Sequence, residues 1–249
     1  MVIRRRRIVV VVVAALTAAA IGSSVRTRVA AQSAPGTIEG HVRLNGPAVP
    51  SAVIRMGADP YCAELYRGKR PIQDTTVLSR DSGLANVFVS LTGTFPATPV
   101  PAETVTIDQE ACMYHPRVVG ARVGQTLEIR NSDMTLHNIH SLSKNGNEFN
   151  ISDPVKGMVQ KFKLGHEEVM LQIKCDVHRW MTEYVGVVNH PYFAVSADGG
   201  TFKITGVPAG PQTLQIWHEA YGTMTQKIDV KPGATTTVDL TYDRKQPAQ

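Results

Sequence analysis

Cysteine, aromatic residues and long apolar runs are all scarce in this 249-residue sequence. It has three cysteines, an aromatic share of 6% and, beyond its first two dozen residues, no apolar stretch of membrane-spanning length. The last absence excludes a chain threaded repeatedly through a bilayer by helices. No segment keeps a helical period over three turns, and Gly, Pro and Asn recur at short intervals among Thr- and Val-rich runs. That pattern predicts many short strands, and the overall composition is neither disordered nor collagenous. There is no Ser/His/Asp set, phosphate-cradling loop or pair of acid–base carboxylates in a convincing setting, so no enzyme is expected.

Acidic residues are missing from positions 1–31, which hold six arginines. Arg4 to Arg7 form a basic start, 8–22 is an apolar run, and Val29-Ala30-Ala31 offers small residues ahead of Gln32. This is the layout of an export signal cleaved before Gln32, with an uncleaved anchor as the alternative and twin-arginine export kept open by the arginine cluster. Without that segment 20 basic residues face 21 acidic ones, a net charge of about −1. The basic pI then belongs to the signal, and a nucleic-acid reading based on charge fails. A periplasmic or secreted location is expected, with membrane association only if the segment stays attached.

In an oxidising compartment three cysteines leave one over. Cys62 and Cys112 lie in loop-like stretches ahead of the main run of strands and are the expected disulfide, two free buried thiols being the alternative. Cys175 is then unpaired. Strands are expected at 37–44, 84–91, 104–107, 124–130, 136–140, 169–174 and 184–188, and in a terminal meander at 201–205, 213–217, 227–230 and 235–242. The class is all-β, with two sandwiches.

The sharpest motif is Cys175-Asp176-Val177-His178-Arg179-Trp180-Met181, a C-x2-H-x2-M loop between two strands. A thiolate, an imidazole and a thioether form a soft mixed set that suits copper in both oxidation states; zinc is less apt, because its usual ligands include no thioether. A second imidazole must come from elsewhere. His137 follows a strand and the polar break Asn131-Ser132-Asp133, with enough chain before Cys175 for intervening strands to bring the two loops together. The bland alternative is a lone C-x2-H beside a core methionine. A binuclear copper centre would need a second loop cysteine, and there is none. His140, three residues beyond His137, would point to the opposite face. His41, His115, His166, His190 and His218 are expected to be solvated, and Met134 and Met158 to fill gaps.

These residues resemble the cupredoxins, most closely the amicyanin and plastocyanin type. Leu136-His137-Asn138-Ile139-His140 matches the His-Asn pair at a strand end, and Lys174 through Met181 matches the second ligand loop, in the short amicyanin-like spacing. The resemblance implies a Greek-key sandwich holding one type 1 copper on His137, Cys175, His178 and Met181. It also implies that Asn138 braces the two loops through hydrogen bonds. Asp176 departs from the Ser or Thr usual there, which puts the electronic tuning in question. Trp180 would belong to an apolar collar where electrons pass to a partner, or simply to the core.

Residues 198–217, with F-x-I at Phe202 and G-V-P-x-G at Gly206, resemble a carboxypeptidase regulatory-like (transthyretin-like) sandwich whose opening strand looks like Ile38 to Val42. The expected division is 36–55 with 194–243 as that sandwich and 56–193 as the cupredoxin-like unit, against a single enlarged cupredoxin. The function this implies is one-electron transfer with an exported cytochrome or dehydrogenase. The competitors are copper storage or delivery, and an adhesion or carbohydrate-binding sandwich with a vestigial metal site.

Overall fold

The computed structural model describes residues 33–243. The expected export segment, 1–31, lies outside the described residues. In chain order the elements are β1 (Gly36–Asn45), α1 (Pro60–Leu65), β2 (Phe88–Leu91), β3 (Val105–Glu110), β4 (Met113–His115), β5 (Val118–Arg122), β6 (Thr126–Asn131), β7 (His137–Ser141) and β8 (Asn150–Asp153). There follow β9 (Val159–Lys163), β10 (Glu168–Lys174), β11 (Thr182–Val188), β12 (Phe193–Val195), β13 (Thr201–Val207), β14 (Gly210–His218), β15 (Gly222–Val230) and β16 (Thr235–Asp243). The fold is all-β, built as two sandwiches, and among the described residues no helix is long and apolar enough to cross a membrane.

The first sandwich faces the three-stranded sheet β13-β1-β16 against the four-stranded sheet β12-β2-β14-β15. Period-2 patterning makes its core: Ile38, Val42 and Leu44 from β1, Phe202 and Ile204 from β13, Leu214 and Ile216 from β14, and Leu240 from β16. Strand β1 thus reaches across most of the chain to pair with β13 and, in parallel, with β16. The second sandwich packs the five-stranded sheet β5-β11-β10-β7-β8 on the four-stranded sheet β4-β3-β6-β9. Its core includes Ile107, Leu127, Ile129, Ile139, Leu171, Ile173, Val185 and Val187, with Cys175 and Met181 at one end.

The sheets divide the chain differently from the sequence expectation. The run at 84–91, counted there with the cupredoxin-like stretch, forms β2 only from Phe88 and pairs with β14 (Ser90 opposite Gln215, Val89 opposite Ile216). Asn86, at φ 60°, interrupts the run, and Val87, Val89 and Leu91 all point into the first core. The burial of the run on all four strand residues is that of a strand covered on both faces. Strands β4, β5, β8, β9 and β12 and the helix α1 were not foreseen. Two of them, β8, which is largely exposed, and β9, which is partly exposed, offer no apolar period to read.

The two sandwiches meet at a smooth spot on β5 and β11. Gly120 and Gly186 are register partners, and a Cβ on either would lie 2.3–2.4 Å from a ring atom of Phe193 or Phe88. The joint is locked by Arg117, buried just ahead of β5, which binds both carboxylate oxygens of Glu219 and reaches Asp74 at 3.0 Å. Gly186→Ala is therefore expected to destabilise the protein by about 1–3 kcal/mol through overpacking. Chemical denaturation would check it; an unchanged midpoint would show that Phe88 is free to move aside.

Candidate metal centre

His137 opens β7, directly after a polar turn that organises itself. The Asp133 N–H donates to Asn131 Oδ1 (2.9 Å), and Asn131 Nδ2 donates to the carbonyls of Thr135 (3.0 Å) and Asp153 (2.7 Å). The second loop leaves β10 at Cys175 and enters β11 after Met181. It is closed by Cys175 N–H donating to the Met181 carbonyl (3.2 Å) and Met181 N–H donating to the His178 carbonyl (2.8 Å). Strands β7 and β10 pair through Lys174 and His140, so the two loops emerge at the same end of one sheet.

Here His137, Cys175 and His178 come together, all buried, with one ligand atom from each within 4.8 Å of the others. The His137 and His178 Nδ1 atoms are 3.0 Å apart, and the Cys175 sulfur is 3.8 Å from His178 Nδ1. Two donors each about 2.0–2.3 Å from one ion can be no more than about 4.5 Å apart, so both spacings fit a single ion. Met181, fully buried, belongs to the same core cluster as Cys175. A second grouping of Asp59, Cys62 and His178 offers no thiolate, because Cys62 is bonded to Cys112 (S–S 2.02 Å).

The far nitrogens decide what the near ones can do. His137 Nε2 lies 2.9 Å from Asp133 Oδ2, and His178 Nε2 lies 3.1 Å from Asp59 Oδ2. Burial works against charge on Asp133, but His137 and the N–H groups of Cys112 and Ala111 outweigh it and hold the carboxyl below its usual range. At Asp59 burial is likewise outweighed, by the Cys62 N–H, the Thr135 hydroxyl and His178. Ionised carboxylates only accept hydrogen bonds, so each can take an Nε2–H, and a ring protonated there has its Nδ1 lone pair free to meet an ion. The two Nδ1 atoms, 3.0 Å apart beside a sulfur, can share either a proton or a metal ion.

The same contacts shift the protonation of the groups themselves. Burial disfavours the His137 cation, yet Asp133 and the Cys175 sulfur raise its pKa to about 9. Burial would raise the Cys175 thiol, but hydrogen bonds from His137, from His178 and from the backbone N–H groups of His178 (3.4 Å) and Asn138 (3.3 Å) bring it down to about 6. Asp153, opposite His137 in the β7–β8 register, is fully buried with neither carboxylate oxygen hydrogen-bonded, and desolvation lifts its pKa to about 6.

Around this core, Asn138 spans the two loops: its Oδ1 accepts from Asp176 N–H (3.1 Å), while its Nδ2 reaches Asn150 Oδ1 (2.7 Å) and the Ile151 carbonyl (3.1 Å). The Asp176 carboxylate turns outward, to Lys174 and His140 at 2.8 Å each. Trp180 is half-buried, its ring 5.1 Å from that of His178 and its Nε1 donating to the Cys112 carbonyl (2.9 Å). Three expectations need correction. His190 and His218 are buried, not solvated, each turning Nδ1 to a nearby backbone N–H. Met134, 74% exposed, fills no gap.

Sequence reasoning missed Asp59 and Asp133. An Asp before Pro60 is a helix N-cap signal, and the Asp59 side chain does accept from Cys62 N–H (2.9 Å) at the start of α1. Nothing local indicates that either carboxylate reaches a histidine. The segment carrying α1 also covers His178, leaving it 1% exposed. Ile54, Met56 and Cys62 pack there with Cys112, Met113 and Trp180.

No protein-family model matches the chain, and no curated protein is detectably similar to it. Among solved structures it is similar to a purple cupredoxin from Nitrosopumilus maritimus, at 26% identity over 33% of this chain and 98% of that one, with a TM-score of 0.30. An amicyanin variant in its Cu(I) form is matched at 19% identity over 40% of this chain and 97% of that one, with a TM-score of 0.31. A Cu-containing nitrite reductase (NirK) from Thermus scotoductus SA-01 is matched at 18% identity over 38% of this chain and 24% of that one, with a TM-score of 0.31. These likenesses are partial, and none supports the regulatory-like resemblance of 194–243. The residues around His137, Cys175 and His178 are what fit a soft metal ion.

Cys175 in the metal-free protein is expected to ionise near pH 6, against about 8.5 for a free thiol. Thiolate ultraviolet absorbance, followed from acid to alkaline pH against Cys175→Ser, measures this directly. A midpoint at or above the free-thiol value would mean that the imidazole contacts do not form in solution.

Proposed function

We propose that the chain is an exported protein that binds one copper ion through His137, Cys175, His178 and Met181 and carries single electrons. The observation that carries this reading is the convergence of two inward-facing Nδ1 atoms and a low-pKa sulfur in a buried place. A trigonal set of two imidazole nitrogens and one sulfur, with a thioether nearby, is tolerable to Cu(I) and Cu(II) alike. Copper held there would change oxidation state with little rearrangement. The loops that supply the set hang from paired strands and are cross-braced by Asn138, which speaks for a rigid site. Four protein donors on one copper would leave no position open for a substrate, which speaks for a carrier.

The disulfide speaks for an oxidising compartment, periplasmic or extracellular, as does the basic-apolar start of the sequence. The partner on this reading is an exported cytochrome or dehydrogenase. Copper storage or delivery is a second reading with one observation in its favour: the His178 edge is covered, so no ligand imidazole stands at the surface to meet a redox partner.

One optical experiment separates these readings. The protein from Gln32 onward, loaded with Cu(II), is expected to show an intense sulfur-to-copper charge-transfer band that is absent from Cys175→Ser. Bound Cu(I) without that band would favour storage or delivery. No copper uptake after reconstitution would leave an adhesion or carbohydrate-binding sandwich.

A further inference from the structure

The geometry points to Asp59 and Asp133 as positioning residues of the metal centre, each accepting the Nε2–H of one ligand imidazole so that both Nδ1 atoms face the ion. This rests on the copper reading above. Its basis is a closed frame that starts at the disulfide. Cys62 N–H donates to Asp59 Oδ1 (2.9 Å), and Cys112 N–H donates to Asp133 Oδ2 (2.7 Å). The two residues whose backbone holds the carboxylates are thus the two halves of one cystine. Asp59 goes on to His178 and Asp133 to His137, so both imidazoles hang from a single covalent clamp.

Ordinary local roles do not exhaust either carboxylate. An N-cap uses one side-chain oxygen, and at Asp59 that is Oδ1. Oδ2 is left over; it takes the Thr135 hydroxyl (2.8 Å) and then His178. Asp133 accepts from the N–H groups of Ala111 (2.8 Å) and Cys112, two non-glycine residues at φ 54° and 57°. That backbone turn is costly for residues with a Cβ, and it aims both donors at the carboxylate that also meets His137. Tyr61, from α1, adds a hydroxyl to Asp133 Oδ1 (3.3 Å) and closes the frame across the cap.

A carboxylate on the outer nitrogen of a ligand imidazole fixes the tautomer, holds the ring plane and raises the basicity of the inner nitrogen. More basic nitrogens favour the doubly charged ion over the singly charged one. Two such braces on one copper would tighten Cu(II) binding and lower the reduction potential relative to the same ligands unbraced.

Asp59→Asn is the deciding variant, because Asn keeps an oxygen for the Cys62 N–H and caps helices as well as Asp does. Metal-free melting should stay close to wild type while Cu(II) affinity, read by competition with a chelator, falls about 10–100-fold. The reduction potential, read by spectroelectrochemistry, should rise. Asp133→Asn should move both quantities the same way and also lower the metal-free melting temperature, since it weakens the 111–112 turn. Nitrogen-15 NMR of the metal-free wild type adds a readout independent of copper, with Nε2–H expected on both rings in the neutral form. Wild-type affinity and potential in Asp59→Asn, or an Nδ1–H on either neutral ring, would overturn the proposal and leave the copper reading standing. A wild type that takes up no copper would sink both.

Discussion

The pairing of each buried imidazole with a carboxylate on its outer nitrogen is the constraint around which the end of the second sandwich is arranged. His137 is tied to Asp133 and His178 to Asp59, and both rings are sealed from water, so their Nδ1 atoms stay 3.0 Å apart beside the Cys175 sulfur. In a low-dielectric setting such contacts are strong, and an unpaired charge is correspondingly costly. The thiol pKa drawn down to about 6 and the His137 pKa raised to about 9 are two sides of one balance, since the imidazolium and the thiolate favour each other.

The covalent and topological features of the chain serve the same end. The long irregular passage between β1 and β2 leaves the first sandwich, crosses to the second as α1, and returns. On the way it delivers Asp59 and Cys62 to the edge of His178. Without the Cys62–Cys112 bond a six-residue helix with little apolar surface would hold that position weakly. Arg117 performs a comparable task at the other boundary, joining the start of β5 to Glu219 and Asp74 so that the two sandwiches keep their seating at Gly120 and Gly186. The covered histidine edge is a structural consequence of this path. Trp180 and the segment carrying α1 leave the His178 ring 1% exposed.

Legibility from sequence followed how local the physics was. Alternating runs such as 37–44, 201–205 and 235–242 announced strands because one face of each is buried, and β1, β13 and β16 form there. Strands β8 and β9, with no fully buried face, carry no such alternation. Residues 84–91 announced burial but not the partner, since a run apolar on both faces fits any central position. The burial of His190 and His218 is not written in their neighbours for a related reason: a histidine can be buried neutral if one nitrogen finds a backbone N–H, and that depends on the fold around it.

By itself the sequence determined the all-β character and the donor types at 137, 175, 178 and 181, because side-chain period and ligand chemistry are written residue by residue. Tertiary structure alone decided that the outer nitrogens of the two imidazoles would each meet a buried or half-buried carboxylate. Asp59 lies 119 residues from His178 along the chain, and its hydrogen bond depends on a disulfide closing a 50-residue separation. A tautomer is set by what touches the other nitrogen, and no spacing rule in one dimension specifies which carboxylate will be there.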